Sequence, residues 1–345
     1  MPSPTVRWGI LGCGDVCEVK SGPGLQQADG SELVAVMRRD RALAEDFARR
    51  HGVPAFYDDA EALIADPSVT AVYIASPPGS HLELALKVAK AGKPAYVEKP
   101  MARSHAECSR MIAAFEQANV PLFVAYYRRA LPRFLKAKEI IDSGRLGQLR
   151  SVEARYFSAG QLKVDPARLP WRVQAEPAGG GLFLDLASHT LDVLDFFFGP
   201  LSAVKGEASN AGRALDVEDQ VSLEFDTSSG AHGRGSWSFT SQTKEDSISI
   251  DGSDGSLRLS TFGDGPVVVE TSAGAEQFTL PNPRTIQGPM IQTIVDSLRG
   301  RGRCLSTGVS AARTSEVMDR ALAGYYGSRD DGFWKHPERW PGRRV

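Results

Sequence analysis

The first 125 residues alternate short apolar runs with stretches of helical spacing. Val6-Arg7-Trp8-Gly9-Ile10-Leu11, Leu33-Val34-Ala35-Val36-Met37, Val69–Ile74, Ala95-Tyr96-Val97 and Leu122–Ala125 read as buried strands. Between them, Arg41 to His51 sets Leu43, Ala44, Phe47 and Ala48 on one stripe and stops at Gly52. His81 to Ala91 closes on Gly92, and Ala106 to Gln117 repeats the pattern. Strands alternating with helices predict a doubly wound parallel sheet with helices on both faces.

After Tyr127 the rhythm changes. A helix (Arg133 to Asp142) leads to a strand (Arg150 to Ser158) and a loop carrying Pro166, Pro170 and Pro177. Gly179-Gly180-Gly181 then opens a helical run to Phe198. From Ala203 to Leu280, turns separate the strands Val221–Phe225, Gly233–Phe239, Ser247–Asp251, Ser256–Leu259 and Val267–Thr271. That pattern predicts a mostly antiparallel open sheet with one exposed or partner-facing side. Helices Met290–Leu298 and Val309–Gly324 end the fold. The fold class is therefore α/β plus α+β. Two domains are expected, 1–125 and 126–345, with the last helix able to pack back on the first. The length of 345 residues exceeds one ordinary core.

Charge narrows the partners. A net charge of −2 gives no electrostatic reason to expect nucleic acid or an anionic membrane. Arg299, Arg301 and Arg303, and Arg343-Arg344, read as solvated faces. The start Met1-Pro2-Ser3-Pro4 resembles no signal peptide, and no apolar stretch is long enough to span a bilayer, so a cytoplasmic protein is expected. Four cysteines without a CxxC pair suit reduced thiols, and no metal site is expected at Cys13 and Cys17.

Gly12-x-Gly14 follows a strand and precedes a helix, the context in which such a turn holds a dinucleotide pyrophosphate. Gly12 allows the turn, Gly14 lets the backbone approach, and Asp15 and Val16 open the helix whose amides face the phosphates. Cys17 stands where the third small residue of the fingerprint belongs. The next strand ends in Met37-Arg38-Arg39-Asp40. Arginine at this point accommodates a 2′-phosphate, so Arg38 and Arg39 favour NADP over NAD; the other reading makes Asp40 the ribose-binding acid. Ser76, Pro77 and His81 follow the third predicted strand and join the cofactor candidates, a structural role competing for His81. Glu98-Lys99-Pro100 closes the next strand and puts a lysine at the sheet's carboxyl edge, where ligands of such sheets bind.

Four elements together resemble the glucose–fructose oxidoreductase / inositol dehydrogenase / rhizopine catabolism (Gfo/Idh/MocA) family. They are Gly9-Ile10-Leu11-Gly12-Cys13-Gly14, Ser76-Pro77-Pro78-Gly79-Ser80-His81, Glu98-Lys99-Pro100 and Gly179 through His189. The resemblance implies that Lys99 lies near the nicotinamide and that Asp185 and His189 face it. It also implies that Trp171 and Arg172 lie near cofactor and substrate. Tyr127 stands where relatives often carry asparagine or histidine, and is a further substrate-binding candidate. The chemistry agrees. Asp185 and His189 are four apart in a helical run and share a face. Histidine titrates near working pH, which suits it to move the hydroxyl proton during hydride transfer. The expected activity is hydride transfer between nicotinamide and a secondary alcohol or ketone of a sugar, inositol or related polyol. Lys99, His189 and Asp185 are its catalytic candidates. Rival readings are a redox-assisted glycosidase of the same architecture and a nucleotide-sensing regulator. A homodimer or homotetramer through the second sheet is expected.

Overall fold

The computed structural model describes residues 4–158, 169–212, 215–334, 336 and 338. Its strands are β1 (Val6–Leu11), β2 (Ser31–Met37), β3 (Ala55–Tyr57), β4 (Ala71–Ile74), β5 (Ala95–Val97), β6 (Leu122–Val124) and β7 (Leu149–Phe157). After these come β8 (Ser202–Ser209), β9 (Gln220–Asp226), β10 (His232–Ser238), β11 (Glu245–Gly252), β12 (Gly255–Leu259), β13 (Val267–Thr271) and β14 (Gly274–Phe278). The helices are α1 (Gly22–Gln27), α2 (Arg41–His51), α3 (Ala60–Ala65), α4 (His81–Lys90) and α5 (His105–Gln117). The later ones are α6 (Pro132–Asp142), α7 (Ala175–Ala178), α8 (Ser188–Phe198), α9 (Gly288–Leu298) and α10 (Gly308–Tyr326).

The described residues fall in two compact units. One lies within Met1–Ala102, Glu107–Leu131 and Pro283–Ala312, the other within Arg103–Ala106, Pro132–Asn282 and Arg313–Val345. The first unit is thus discontinuous, where the sequence pattern drew one cut. Its returning segment is held by α9 against α1, and Gly24 permits the approach, since a Cβ there would meet Ile291 Cδ1 at 2.6 Å.

In the first unit six parallel strands run in the order β3-β2-β1-β4-β5-β6. The order reverses between β1 and β4, which makes their carboxyl ends the switch point of a Rossmann sheet. β4, β5 and β6 are buried throughout, as their unbroken apolar runs predict. Helix boundaries follow local chemistry. Asp40 caps α2 by accepting the Leu43 amide at 3.2 Å, and Gly52 ends it at φ 65°. The sequence pattern passed over β3 and α3, each too short to show a period. The Asp59 side chain, accepting from the Ala62 amide at 2.9 Å, was the signal for α3.

The second unit's eight strands run β14-β13-β12-β11-β7-β10-β9-β8, antiparallel except for the β7–β10 pair. Strand β9 buries Val221, Leu223 and Phe225 and exposes Ser222 and Glu224, so one face is apolar and the other polar. On the apolar face, Phe183 meets Trp237 of β10 edge-on, and α8 is buried along nearly its whole length. The loop that carries Pro166, Pro170 and Pro177 is described only in part; residues 159–168, Pro166 among them, lie outside the described residues, as do Arg343 and Arg344.

Candidate active site

The carboxyl edge of the parallel sheet collects most of the cofactor candidates. The amides of Gly12 and Cys13 both donate to the Met37 carbonyl (2.9 and 3.1 Å), which ties the glycine turn to the end of β2. Gly12 sits at φ +91° and a Cβ on it would meet the Ser76 amide nitrogen at 3.0 Å. The turn therefore packs its backbone directly on the Ser76-Pro77 loop. At Gly14 the same test meets only the Gly12 carbonyl, at 4.0 Å, so its outer side is open for a ligand's backbone approach. Asp15 and Val16 begin the helix beyond, which runs through a widened i→i+5 turn at Cys17–Ser21. Cys17 is fully buried and packs where a small residue is required. Burial pushes the Cys13 thiol up to about 11, and Cys17 higher still, so both stay protonated. The arrangement fits a dinucleotide: a glycine cradle at the switch point, a helix start behind it, and no side chain filling the approach at Gly14.

Arg38 and Arg39 leave the end of β2 beside this turn. Among the described residues neither guanidinium makes an ion pair or side-chain hydrogen bond, whereas the nearby Arg41 and Arg50 pair with Asp58 and Glu18. Asp40, the alternative ribose ligand, is engaged in capping α2.

Lys99 follows β5 on the same edge, half-buried, and the Glu98 amide continues the ladder by donating to the Ile74 carbonyl at 2.8 Å. Glu98, a cofactor-binding candidate from the sequence, turns its carboxylate inward. Its buried carboxylate accepts from the Tyr73 hydroxyl (2.6 Å), the Gln287 amide (2.7 Å) and the Lys99 main-chain amide (3.1 Å). The Tyr96 hydroxyl in turn donates to Gln287 Oε1 at 2.9 Å. Burial beside that carboxylate raises the Tyr73 phenol well above its ordinary pKa and keeps it a donor. This network holds the main chain of Lys99 from beneath.

His81 opens α4 behind the Ser76 loop. The ring is fully buried, with Nε2 2.7 Å from the Ser76 carbonyl and Nδ1 3.1 Å from the Met101 carbonyl. It braces the Ser76 loop to the chain just after Lys99, the contacts that a structural role calls for. Tyr127 follows β6 on the same edge and is buried, with the Arg128 guanidinium 5.1 Å from its ring centre.

The second unit carries the other candidates. Trp171 and Arg172 form a short helical turn, and Arg172 Nε lies 3.4 Å from Asp185 Oδ2. The Arg172 guanidinium also stacks 4.5 Å from the Trp171 ring centre. Asp185 lies in a second i→i+5 turn, Phe183–Ala187, and His189 one residue into α8, so the regular i, i+4 offset assumed from sequence is widened here. The triple glycine before them is shaped by what it touches. A Cβ on Gly179 would meet the Arg103 backbone at 2.9 Å, and one on Gly181 the Glu218 carbonyl at 2.3 Å. Buried Glu218 accepts the Gly181 amide at 2.9 and 2.8 Å and the Tyr326 hydroxyl, while Arg329 donates to the Gly179 carbonyl at 2.6 Å. Sequence reasoning missed Gln287, Tyr73 and Glu218. Each is a lone polar residue far along the chain from what it holds, and carries no local motif.

His51, at the end of α2, is half-buried. It lies 2.7 Å from Glu18, which also takes a bidentate pair from Arg50 (2.7 and 2.9 Å). The Arg50 hydrogen bond lowers Glu18 to about 2 from an ordinary 4.5. A depressed carboxylate stabilises the fold above its unfolded pKa and ceases to as pH falls through the folded value. The melting temperature is therefore expected to fall more between pH 4.5 and 2 in the wild type than in Glu18→Gln. The pair is exposed, so the difference should be roughly one or two degrees; identical acid profiles would refute the assignment.

Among the described residues no helix is long and apolar enough to cross a membrane, and no group of three or more His, Cys, Asp or Glu is placed to hold a metal. Comparison with known proteins agrees with this architecture. Residues 6–126 match the model of the oxidoreductase family with an NAD-binding Rossmann fold, and residues 134–258 match the GFO/IDH/MocA C-terminal domain. Oxidoreductase P35 of Formosa agariphila is 36% identical over 91% of this chain and 97% of its own. The 1,5-anhydro-D-fructose reductase of Ensifer adhaerens is 28% identical over 88% of this chain and 91% of its own. An oxidoreductase from Agrobacterium radiobacter, solved with NAD+, L-tartaric acid and magnesium, superposes with a TM-score of 0.81 at 24% identity. That match covers 92% of this chain and 97% of the other. The chain belongs to the Gfo/Idh/MocA family and is an oxidoreductase with an NAD-binding Rossmann domain.

Proposed function

We propose that this oxidoreductase moves a hydride between NADP(H) and a secondary alcohol or ketone of a sugar, inositol or related polyol. The observation that carries the reading is Lys99. It stands at the carboxyl end of β5, on the sheet edge that also bears the Gly12 turn, with its main chain fixed by Glu98. The bound nicotinamide supplies or accepts the hydride at the carbinol carbon. His189 takes the hydroxyl proton as the C–O bond becomes a carbonyl, and returns it in the reverse direction. Lys99 polarises the same oxygen with its ammonium. Asp185, paired with Arg172, orients these groups or holds a second substrate hydroxyl.

Two findings favour NADP: the guanidiniums of Arg38 and Arg39 are unpaired among the described residues, and Asp40 is used as a cap. The test is a panel of sugars, inositols and cyclic diols with NADP+ and NAD+, followed at the nicotinamide absorbance. In Arg38→Ser/Arg39→Ser the KM for NADP+ should rise roughly 30-fold while that for NAD+ stays within about threefold. A wild-type enzyme that prefers NAD+, or a variant with unchanged KM for NADP+, would refute this choice of cofactor. Glycoside cleavage without net change in nicotinamide would instead favour the redox-assisted glycosidase.

A further inference from the structure

The connection from β12 to β13, residues 260–266, is held by more polar contacts than a surface turn requires. The Asp246 carboxylate accepts three successive amides from it, those of Thr261 (2.8 Å), Phe262 (2.7 Å) and Gly263 (2.8 Å). Buried Arg133 donates to the Gly265 carbonyl at 3.1 Å and to Ser260 Oγ at 3.4 Å. The hydroxyls of Thr190 and Thr261 share a buried hydrogen bond of 3.1 Å, which ties the loop to α8 one residue past His189. What this clamp presents is Phe262. Its half-buried ring stands edge-to-face with the His189 imidazole, centres 5.9 Å apart, and packs 4.9 Å from the half-buried Tyr156 ring.

We infer that Phe262, backed by Tyr156, is a specificity-determining wall of the substrate site, selecting a substrate with an apolar ring face such as a pyranose or a cyclohexane polyol. The inference rests on the reading that His189 handles the substrate's hydroxyl proton. A general base must stand within hydrogen-bond reach of that hydroxyl. Side chains at 5 to 6 Å from the imidazole centre are then next to the carbon skeleton. A cyclic polyol offers a contiguous C–H face that an aromatic ring covers well, whereas a flexible acyclic polyol offers none. A loop fixed beforehand by Asp246, Arg133 and Thr190 presents that wall without ordering cost at each turnover.

The experiment measures kcat and KM for myo-inositol, levoglucosan and trans-cyclohexane-1,2-diol against D-glucitol and glycerol. Wild type, Phe262→Leu, Phe262→Tyr and His189→Gln are compared. Phe262→Leu keeps an apolar side chain, and cofactor binding by fluorescence checks its fold. The ratio of kcat/KM for cyclic over acyclic substrates should fall roughly tenfold in Phe262→Leu, mainly through KM, and be restored in Phe262→Tyr. Equal losses on both classes, or no change in the ratio, overturn the wall. Full turnover by His189→Gln overturns the proton-transfer reading instead, so the two failures are distinct.

Discussion

Lys99→Met is expected to lower kcat by roughly a thousandfold while cofactor dissociation constants stay within about threefold. Methionine keeps the unbranched length of lysine but removes the ammonium that would stabilise charge growing on the substrate oxygen. The fold beneath should not respond. The Lys99 amide on Glu98, and Glu98 on Tyr73 and Gln287, fix the main chain here, and these bonds remain in the variant. Lys99→Arg should restore little, because a planar guanidinium cannot place one compact charge where the ammonium stood. Single-turnover absorbance at saturating substrate measures the loss, and nicotinamide fluorescence measures binding. Full turnover in Lys99→Met would remove the lysine from the mechanism. A parallel loss of cofactor affinity would make it a binding residue only.

That prediction joins a motif visible in sequence to a support that is not. Glu98-Lys99-Pro100 is legible because a strand end and a charged residue are adjacent in the chain. The inward turn of Glu98 is not, since one of its partners, Gln287, lies 189 residues away. The same division recurs across the fold. Gly52 and Gly92 marked helix ends because a positive φ is a local demand that glycine alone meets without strain. β3 escaped notice because three residues carry no period, and the widened turns at Cys17–Ser21 and Phe183–Ala187 because helix spacing alone does not report an i→i+5 register. The charge on Arg38 could be read from the chain. That Asp40 caps α2 required the fold. Phe262 had no sequence signal at all; its meaning comes from the clamp around it and the imidazole beside it.

Glu218→Ala is expected to be the most destabilising single change in the second unit, by about 3 to 5 kcal/mol, with the melting midpoint roughly 10 °C lower. The carboxylate is fully buried, and its removal leaves the Gly181 amide and the Tyr326 hydroxyl without their acceptor. Gly181 has little freedom to adapt, since its backbone is pressed against Glu218's own. The turn that follows carries Asp185, so turnover should fall together with stability. Glu218→Gln keeps the volume and one acceptor oxygen, and should lose less than half as much. The two variants also differ in pH dependence. Burial raises the Glu218 pKa above its ordinary 4.5. A raised acid stabilises the native state fully below the unfolded value, and that contribution fades as pH climbs through the folded one. Glutamine cannot titrate, so the deficit of Glu218→Gln relative to wild type should be largest at mildly acid pH and shrink toward neutral. Thermal unfolding from pH 4 to 8 decides it: a constant gap between the two proteins would mean that Glu218 holds the same proton folded and unfolded, and that its burial leaves no mark on ionisation.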